Sequence, residues 1–345
     1  MKRKIVLGLI VIVILLGAYA AWLVLGSTTA FEGKKKFLYL REHQANKDSL
    51  LSILEREDFV RNIGTFKFFG DRLNLWSKLK PGKFEIQQGQ SSLAIVRKLR
   101  NNQQSPVNLV INKLRIREDL ARLIGKQFST DSADAMQFLN SNDSLRKFGV
   151  DTNTAFTLII PDTYTFYWNT SVGKILKKLA DEKDKFWNKD NRLQKASSQG
   201  LTPIEAYTIA SIVEEETNKH DEKGNIASVY MNRINTGMPL QADPTIRFAL
   251  KDFTIKRIYH KYLDVPSPYN TYRNQGLPPG PICTPSSITI DNVLSAPKTD
   301  YIFFVARSDF SGYHVFASNY AEHQKYAAEY QKALDEYLAR KQNAR

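Results

Sequence analysis

The stretch LTPIEAYTIASIVEEETNKHDEKGNIASVYMNRINTGMPLQADPTIRFAL, from Leu201 to Leu250, decides how the chain is organised. It opens with a strong helix signal, because Thr202 can cap a helix, Pro203 suits the first turn and Glu205 completes a capping box. Apolar residues then recur at helical spacing, which predicts an apolar stripe along this helix. The helix ends in three consecutive glutamates, and these are the first candidates for chemistry.

The three glutamates are Glu214, Glu215 and Glu216, and they cannot all face water because successive helical residues point about 100° apart. Glu216 lies three residues after Val213 and seven after Ile209, so it continues the apolar stripe. A partly buried carboxyl group binds its proton more tightly and can act as a general acid near neutral pH. The alternative is an acidic helix end on a solvated face, and helix geometry alone favours that alternative.

The N-terminus has the pattern of a membrane anchor. No charged residue occurs between Ile5 and Leu25, a length that can span about 30 Å of hydrocarbon. Three basic residues precede this segment and predict a cytoplasmic N-terminus. A cleaved signal peptide would need a shorter apolar core and a better small-residue cleavage site. We therefore predict an uncleaved transmembrane helix within residues 1–26, with the rest of the chain outside the cytoplasm.

The composition limits the classes of partner and site. Without the three basic residues before the apolar segment, 46 Lys and Arg oppose 35 Asp and Glu, a net charge of +11. This charge favours an anionic partner such as a wall polymer or lipid headgroups, and outside the membrane we expect no nucleic acid. The single cysteine, Cys283, excludes an internal disulfide. The sequence has no Gly-rich phosphate loop, H-E-x-x-H, G-x-S-x-G or paired-cysteine motif, so we expect no metal and no cofactor.

The remainder predicts an α+β fold in two domains, residues 27–105 and residues 106–345. In the first domain we expect a helix over residues 48–55 capped by Asp48, a strand over 84–86 and a capped helix over 91–99. The second is predicted to be mostly helical, with helices at 117–124, 172–195, 226–236, 286–296 and 319–341, a strand at 106–112 and a hairpin of 301–306 with 313–317. A polar break is expected at 218–224. The composition of the aromatic cluster at 164–168 favours a role in the core over stacking on sugars.

A partly buried glutamate above polar and aromatic loops suits cleavage of a glycosidic bond, in which a carboxylic acid protonates the leaving oxygen. Ordinary glycosidases add a second carboxylate as nucleophile or base. Asp243 is the first candidate for that role here, and Asp162 is the second. The residues alone leave open which carboxylates act.

Six segments, in this order and spacing, resemble the YceG-like endolytic murein transglycosylases, bacterial inner-membrane enzymes that cut nascent peptidoglycan. The segments are residues 210–217 (ASIVEEET), 227–233 (ASVYMNR), 240–245 (LQADPT), 269–272 (YNTY), 276–282 (GLPPGPI) and 301–306 (YIFFVA). The resemblance implies a LysM-like module in residues 27–105 and a lysozyme-like catalytic domain in residues 106–345. It also implies peptidoglycan strands as substrate and peptidoglycan synthases as partners, with the catalytic domain periplasmic or extracytoplasmic.

In the family pattern the catalytic acid/base is the second glutamate of Glu-x-Glu-Thr, which falls on Glu216, and the first glutamate falls on Glu214. The resemblance implies that Glu216 protonates the glycosidic oxygen between MurNAc and GlcNAc and then deprotonates the C6 hydroxyl of MurNAc. A 1,6-anhydro end forms without water, so the enzyme would be a lyase. Arg233 is expected to pair with Glu214 or to contact a substrate carboxylate, and pairing is the favoured expectation.

Four further residues are expected either to position the substrate or to fix the loops by internal hydrogen bonds: Gln241, Asp243, Asn270 and Tyr272. The chain departs from the family pattern at Ile246-Arg247-Phe248, where the family usually has an apolar residue and tyrosine, and at Cys283, where a small residue is usual. Two alternatives to a lytic enzyme remain. One is an anchored binding or scaffold protein of the wall-synthesis machinery, and the other is a glycoside hydrolase that uses Glu216 with Asp243.

Overall fold

The structure is a computed structural model that describes residues 2–343, except for the side chains at positions 2, 3, 5, 20–25, 342 and 343. The chain forms two compact units. The first takes the chain up to Leu109 together with Lys126–Thr130 and Thr165–Ser171. The second takes Val110–Gly125, Asp131–Tyr164 and the chain from Val172 onward.

Among the described residues, eight helices and strands lie wholly or mainly in the first unit. They are α1 (Lys2–Leu25), β1 (Lys35–Leu40), α2 (Lys47–Arg56), α3 (Ile63–Arg72), β2 (Gly82–Gln87), α4 (Ser92–Arg100), β3 (Pro106–Val110) and β4 (Thr163–Tyr167). Within the part of the chain whose side chains are described, no helix combines the length and the apolar character needed to cross a membrane.

The core of the first unit lies between a two-stranded sheet and its helices. Strands β1 and β2 are antiparallel, with Leu38 opposite Phe84. These two side chains are fully buried, together with Leu50 of α2 and Ile95 of α4. The predicted helices and the strand β2 are confirmed. The predicted cap Asp48 is wrong, because the side chain of Asn46 accepts the hydrogen bond from the backbone of the new helix.

The second unit is mostly helical. Its elements are α5 (Arg117–Gln127), α6 (Ser132–Leu139), α7 (Asn142–Arg146), α8 (Val172–Asn188), α9 (Arg192–Ser198), α10 (Pro203–Glu216), α11 (Lys223–Asn235), α12 (Asp243–Leu250), α13 (Ser287–Leu294), β5 (Phe303–Ala306), β6 (His314–Ala317) and α14 (Tyr320–Asn343). Strands β5 and β6 form the predicted antiparallel hairpin, and α13 and α14 confirm the helices predicted around them.

Two further predictions of local structure are wrong. The helix expected over residues 172–195 is divided into α8 and α9, because Asp190 and Asn191 adopt left-handed backbone conformations with φ of 58° and 57°. The polar break expected at 218–224 ends early, since α11 already begins at Lys223, and both Glu222 and Lys223 are buried. Helix α12 occupies residues 243–250, for which no helix was predicted.

The aromatic cluster after residue 163 belongs to the core, as the composition favoured. Tyr164 and Phe166 of β4 are buried, and so is Trp168 just after it. Tyr167 points the other way and is exposed. This alternation is the ordinary pattern of a strand with one face packed against a core.

Helix α10 is the centre of the second unit. Its capping box forms as predicted, with Thr202 and Glu205 exchanging hydrogen bonds. The predicted apolar stripe is too narrow, however, because all eight residues from Ala206 to Val213 are buried. Helices α9, α11, α12 and α13 pack around it. A helix that is buried on all sides has no solvated face on which to place charges.

Candidate active site

The three carboxylates on the last turn of α10 lie in three different environments. Glu214 lies against a buried cation, since its Oε2 accepts hydrogen bonds from Lys223 Nζ at 3.0 Å and Ser286 Oγ at 3.1 Å. Thr289 donates a further hydrogen bond to the same oxygen. Burial alone would raise the pKa of Glu214, but these hydrogen bonds and the Lys223 charge outweigh it, so the pKa lies below its ordinary value.

Glu215 is bound by two cations that lie far from it in the sequence but within the same unit. Its carboxylate lies 3.1 Å from Lys113 Nζ and 3.1 Å from Arg115 Nη2. Only a tenth of its side chain is exposed. Glu214 and Glu215 are therefore paired carboxylates, and both have cations to balance their charge.

Glu216, the predicted acid, is bound by a tyrosine hydroxyl, whereas Glu214 and Glu215 are bound by cations. Tyr230 of α11 donates a hydrogen bond of 2.5 Å to Glu216 Oε1. No other hydrogen bond or ion pair to this carboxyl group is formed by the described residues, and the side chain is partly exposed. The second carboxyl oxygen, Oε2, thus has no partner among the described residues and is available to a ligand.

The pKa of Glu216 is raised to about 7. Burial is the largest cause, and the nearby charge of Asp243 acts in the same direction. The hydrogen bond from Tyr230 and the positive charges of Arg247 and Arg233 lower the pKa without cancelling this rise. Near neutral pH the carboxyl group is therefore divided between its protonated and ionised forms, which suits a group that must both donate and accept a proton.

Asp243 lies at the start of α12 and is bound by a second predicted site residue. Tyr272 donates a hydrogen bond of 2.6 Å to Asp243 Oδ1. Burial and the Asp243 charge raise the pKa of Tyr272, so its hydroxyl stays protonated and remains a donor. Asp162, the other candidate carboxylate, lies on an exposed turn, and no described hydrogen bond or ion pair connects it with Glu216.

Asn270 and Gln241 support the loops around this pair. Asn270 is fully buried, and its Nδ2 donates to the carbonyls of Leu263 and Val265 at 2.8 and 2.9 Å. Its Oδ1 accepts from the Tyr272 backbone at 3.0 Å, so its contacts match the loop-fixing alternative. Gln241 has a positive φ of 50°, its backbone amide bonds the Thr271 carbonyl and its side chain is exposed.

Arg233 has a different partner from the one predicted. Its Nε donates to the Ile302 carbonyl at 2.7 Å and its Nη1 to the Leu240 carbonyl at 2.6 Å. The predicted ion pair with Glu214 is wrong, because Lys223 occupies that carboxylate. The buried guanidinium instead connects the residue before β5 with the segment before α12 through these two hydrogen bonds.

Sequence reasoning missed three residues that shape the site. Tyr230 binds Glu216 and Lys223 binds Glu214, and both residues stand on α11. Tyr230 lies within the segment 227–233 that carries the resemblance, but its contact with Glu216 was not predicted. Glu222 is buried, accepting from Thr217 Oγ1 at 2.6 Å and pairing with His314 Nδ1 at 2.8 Å. The sequence signals for these contacts are the short spacing between α10 and α11 and the position of Tyr230 within the segment 227–233.

A cavity of about 220 Å³ opens elsewhere in the second unit. Its wall includes Arg115, Tyr269 and Phe248, and the two aromatic rings lie 4.6 Å apart between centroids. Glu216, Asp243 and Tyr272 do not line this cavity. Among the described residues, no group of three or more His, Cys, Asp and Glu side chains is arranged to hold a metal ion.

Comparison with known proteins agrees with this architecture. The profile of the YceG-like family matches residues 42–329. The chain belongs to the YceG-like family. The resemblance predicted from the six segments is therefore confirmed.

Individual members of the family are distant in sequence. The chain is 28% identical over 310 residues to the endolytic murein transglycosylase of Bacillus subtilis, covering 84% of this chain and 83% of that protein. It is 26% identical over 316 residues to the protein of the same name from Streptococcus pneumoniae, where it spans 57% of the relative's length. A crystal structure of a YceG-like protein from Listeria monocytogenes aligns with a TM-score of 0.55 and 26% identity, over 85% of this chain and 98% of that one.

The Tyr230 hydroxyl sets how strongly Glu216 holds its proton. Tyr230→Phe removes a donor that stabilises the carboxylate, so we expect the pKa of Glu216 to rise by about one further unit. The measurement is a carbon-detected NMR titration of labelled glutamate carboxyl groups, with the Glu216 signal assigned by its loss in Glu216→Gln.

Tyr207→Phe is the matched control, because Tyr207 is equally buried but donates to the Ile159 carbonyl at 2.6 Å. It should leave the Glu216 titration where it is in the wild type. A Tyr230→Phe protein whose Glu216 titrates at or below the wild-type value would show that the hydroxyl does not stabilise the carboxylate.

The opposite pKa shifts of Glu216 and Glu214 predict opposite effects on stability. The pKa of Glu216 is raised on folding, so its contribution to stability is full below about pH 4.5 and is lost as the pH rises towards 7. Glu216→Gln should therefore be more stable than the wild type at pH 8, by on the order of 2–3 kcal/mol.

Glu214→Gln is the matched comparison, because its depressed pKa gives stability that is present above about pH 4.5 and is lost on acidification. It should be less stable than the wild type at pH 8, with a difference that shrinks towards low pH. Urea unfolding at pH 4.5 and pH 8 measures both variants, and equal signs for the two would contradict the assignment.

Proposed function

We propose that this protein is an endolytic murein transglycosylase, the activity named for its Bacillus and Streptococcus relatives. The observation that carries the proposal is the Glu216 carboxyl group, which has a pKa of about 7 and one hydrogen-bond partner among the described residues. A group in this state can act first as acid and then as base near neutral pH.

The proposed reaction uses Glu216 twice. In the first step its proton passes to the glycosidic oxygen as the bond from C1 of MurNAc to GlcNAc breaks. In the second step the Glu216 carboxylate takes the proton from the C6 hydroxyl of the same MurNAc, and the oxygen of that hydroxyl bonds to C1. The products are a GlcNAc end with a free hydroxyl and a 1,6-anhydro-MurNAc end, and Glu216 is again protonated.

The contacts around Glu216 support these roles. The Tyr230 hydrogen bond fixes Oε1, and the buried phenol keeps its proton because burial and the Glu216 charge hold its pKa well above the ordinary value. Asp243 contributes its field, which raises the pKa of the acid, while its Oδ1 is occupied by Tyr272. We therefore propose that Asp243 acts through its negative charge on Glu216 and by fixing the loop that carries Tyr272. Gln241, two residues before Asp243, is exposed and can contact a glycan.

The proposed chemistry is tested by digesting peptidoglycan with the full chain in mild detergent and analysing the fragments by mass spectrometry. We expect anhydro-MurNAc ends, and a loss of cleavage of at least about 100-fold in Glu216→Gln, because general acid–base catalysis commonly contributes that much. Circular dichroism should show that the variant stays folded.

Glu215→Gln is the control, since it removes the same charge one residue away from a carboxylate held by Lys113 and Arg115. It should retain cleavage. Reducing ends in place of anhydro ends would indicate a hydrolase with Asp243 as second carboxylate. Retention on sacculi without any released fragment would indicate a binding or scaffold protein.

We also propose that the chain is anchored in the cell membrane by its N-terminal segment, with the N-terminus cytoplasmic and the remainder extracytoplasmic. This rests on the sequence, in which residues 5–25 carry no charge and follow three basic residues. The membrane fraction should retain the wild type through a carbonate wash and release a variant lacking residues 5–25. Extraction of the wild type by carbonate would contradict the anchor.

The first unit is proposed to be LysM-like. Its order of strand, two helices and strand, with β1 paired to β2, supports that assignment. We further propose peptidoglycan synthases as partners, on the resemblance alone. Retention of the isolated Glu216→Gln protein on sacculi tests glycan binding. Co-purification of the same protein with a synthase tests the partnership.

A further inference from the structure

Arg247 is a cation near the proposed acid that the mechanism does not use. It stands on α12 one helical turn after Asp243, at the position where the chain departs from the family pattern. Its charge acts on Glu216, so the two groups are electrostatic neighbours. The Arg247 charge favours the ionised form of Glu216, whereas Glu216 must be protonated at the start of the proposed reaction. Arg247 is therefore expected to have a role other than assisting Glu216.

The guanidinium of Arg247 has no partner among the residues that the structure describes. Its Nε is buried without a hydrogen bond, while the residue as a whole is partly exposed. The other arginines near the site are engaged: Arg233 binds two backbone carbonyls, and Arg115 binds Glu215. Arg247 therefore differs from both, because none of its donors has a partner among the described residues.

The nearest carboxylate on its own helix does not satisfy it. Asp243 and Arg247 are spaced by four residues, which normally favours an ion pair on a helix. Here Asp243 Oδ1 accepts a hydrogen bond from Tyr272, and no salt bridge joins the aspartate to Arg247 within the described residues. An arginine fork that is partly buried and unpaired is well suited to bind a carboxylate in two-pronged geometry.

We propose that Arg247 is a specificity-determining residue that binds a carboxylate carried by the MurNAc unit of the substrate. The inference rests on the proposed function, because it assumes that a glycan strand reaches Glu216. The carboxylate has two sources in peptidoglycan. One is the lactyl group of a MurNAc without a peptide stem, and the other is the stem itself.

The test separates binding from cleavage. Full-length Glu216→Gln protein in detergent, with and without Arg247→Gln, is titrated with three labelled strand preparations at low salt. The first preparation is free of stems, the second carries stems, and the third has all its carboxylates converted to amides. Glu216→Gln imitates the protonated acid and does not consume the ligand.

We expect Arg247→Gln to weaken binding of at least one carboxylate-bearing strand by about 10- to 100-fold, the range for a charge-assisted hydrogen-bonded pair. Binding of the amidated strand should be weak in both proteins and equal within about twofold. An effect confined to stem-free strands identifies the lactyl carboxylate, and an effect confined to stem-bearing strands identifies the stem. Arg247→Lys, which keeps the charge but not the fork, should recover part of the loss.

Arg257→Gln is the matched control, because it removes one exposed arginine that stacks on Tyr259. It should change no strand's affinity by more than about twofold. Equal weakening of all three strands by Arg247→Gln, or no weakening of any, would overturn the inference. Repeating the series with active Glu216 and scoring cleavage keeps the two proposals apart, since Arg247-dependent binding without cleavage would count against the enzyme and not against the carboxylate site.

Discussion

The second unit depends on one constraint, the burial of α10 on every side from Ala206 to Val213. A helix of this kind brings its C-terminal carboxylates into the core with it, and a buried carboxylate is costly unless it is paired or protonated. Glu214 and Glu215 are paired with cations. Glu216 has a hydroxyl, and its pKa rises to about 7. The chemical difference between three identical side chains therefore comes from their partners.

The loops around α12 extend this arrangement without adding a second free carboxylate. Thr271 links the backbone of Ala242 to the Thr245 hydroxyl, and Asn270 fixes the turn from which Tyr272 reaches Asp243. The negative charge of Asp243 is thereby held at a fixed place beside Glu216. A charge held rigidly in a partly buried site acts on its neighbour more strongly than a mobile charge in water. This explains how a residue can raise the pKa of the acid without touching the substrate.

The sequence could predict what local signals determine. The capping box of α10 and the hairpin of β5 and β6 depend on neighbouring residues, and both were recovered. The partners of the glutamates were not, because Lys223 reaches Glu214 and Arg233 reaches backbone carbonyls only after the helices have packed. The break at Asn191 was also missed, since its left-handed backbone conformation interrupts a segment that was predicted to be one continuous helix. Glu216 itself was identified from its motif, but its environment required the fold.

Arg233 and Arg247 show how the same side chain can serve structure or recognition. Both are cations close enough to lower the pKa of Glu216, yet only Arg233 donates hydrogen bonds to backbone carbonyls. A carboxylate bound at Arg247 would offset the positive charge there, leaving burial and Asp243 to raise the pKa of Glu216 further. Because linkage is reciprocal, protonation of Glu216 would in turn favour binding of that carboxylate. On the proposal for Arg247, recognition of the strand and preparation of the acid are therefore one coupled event rather than two.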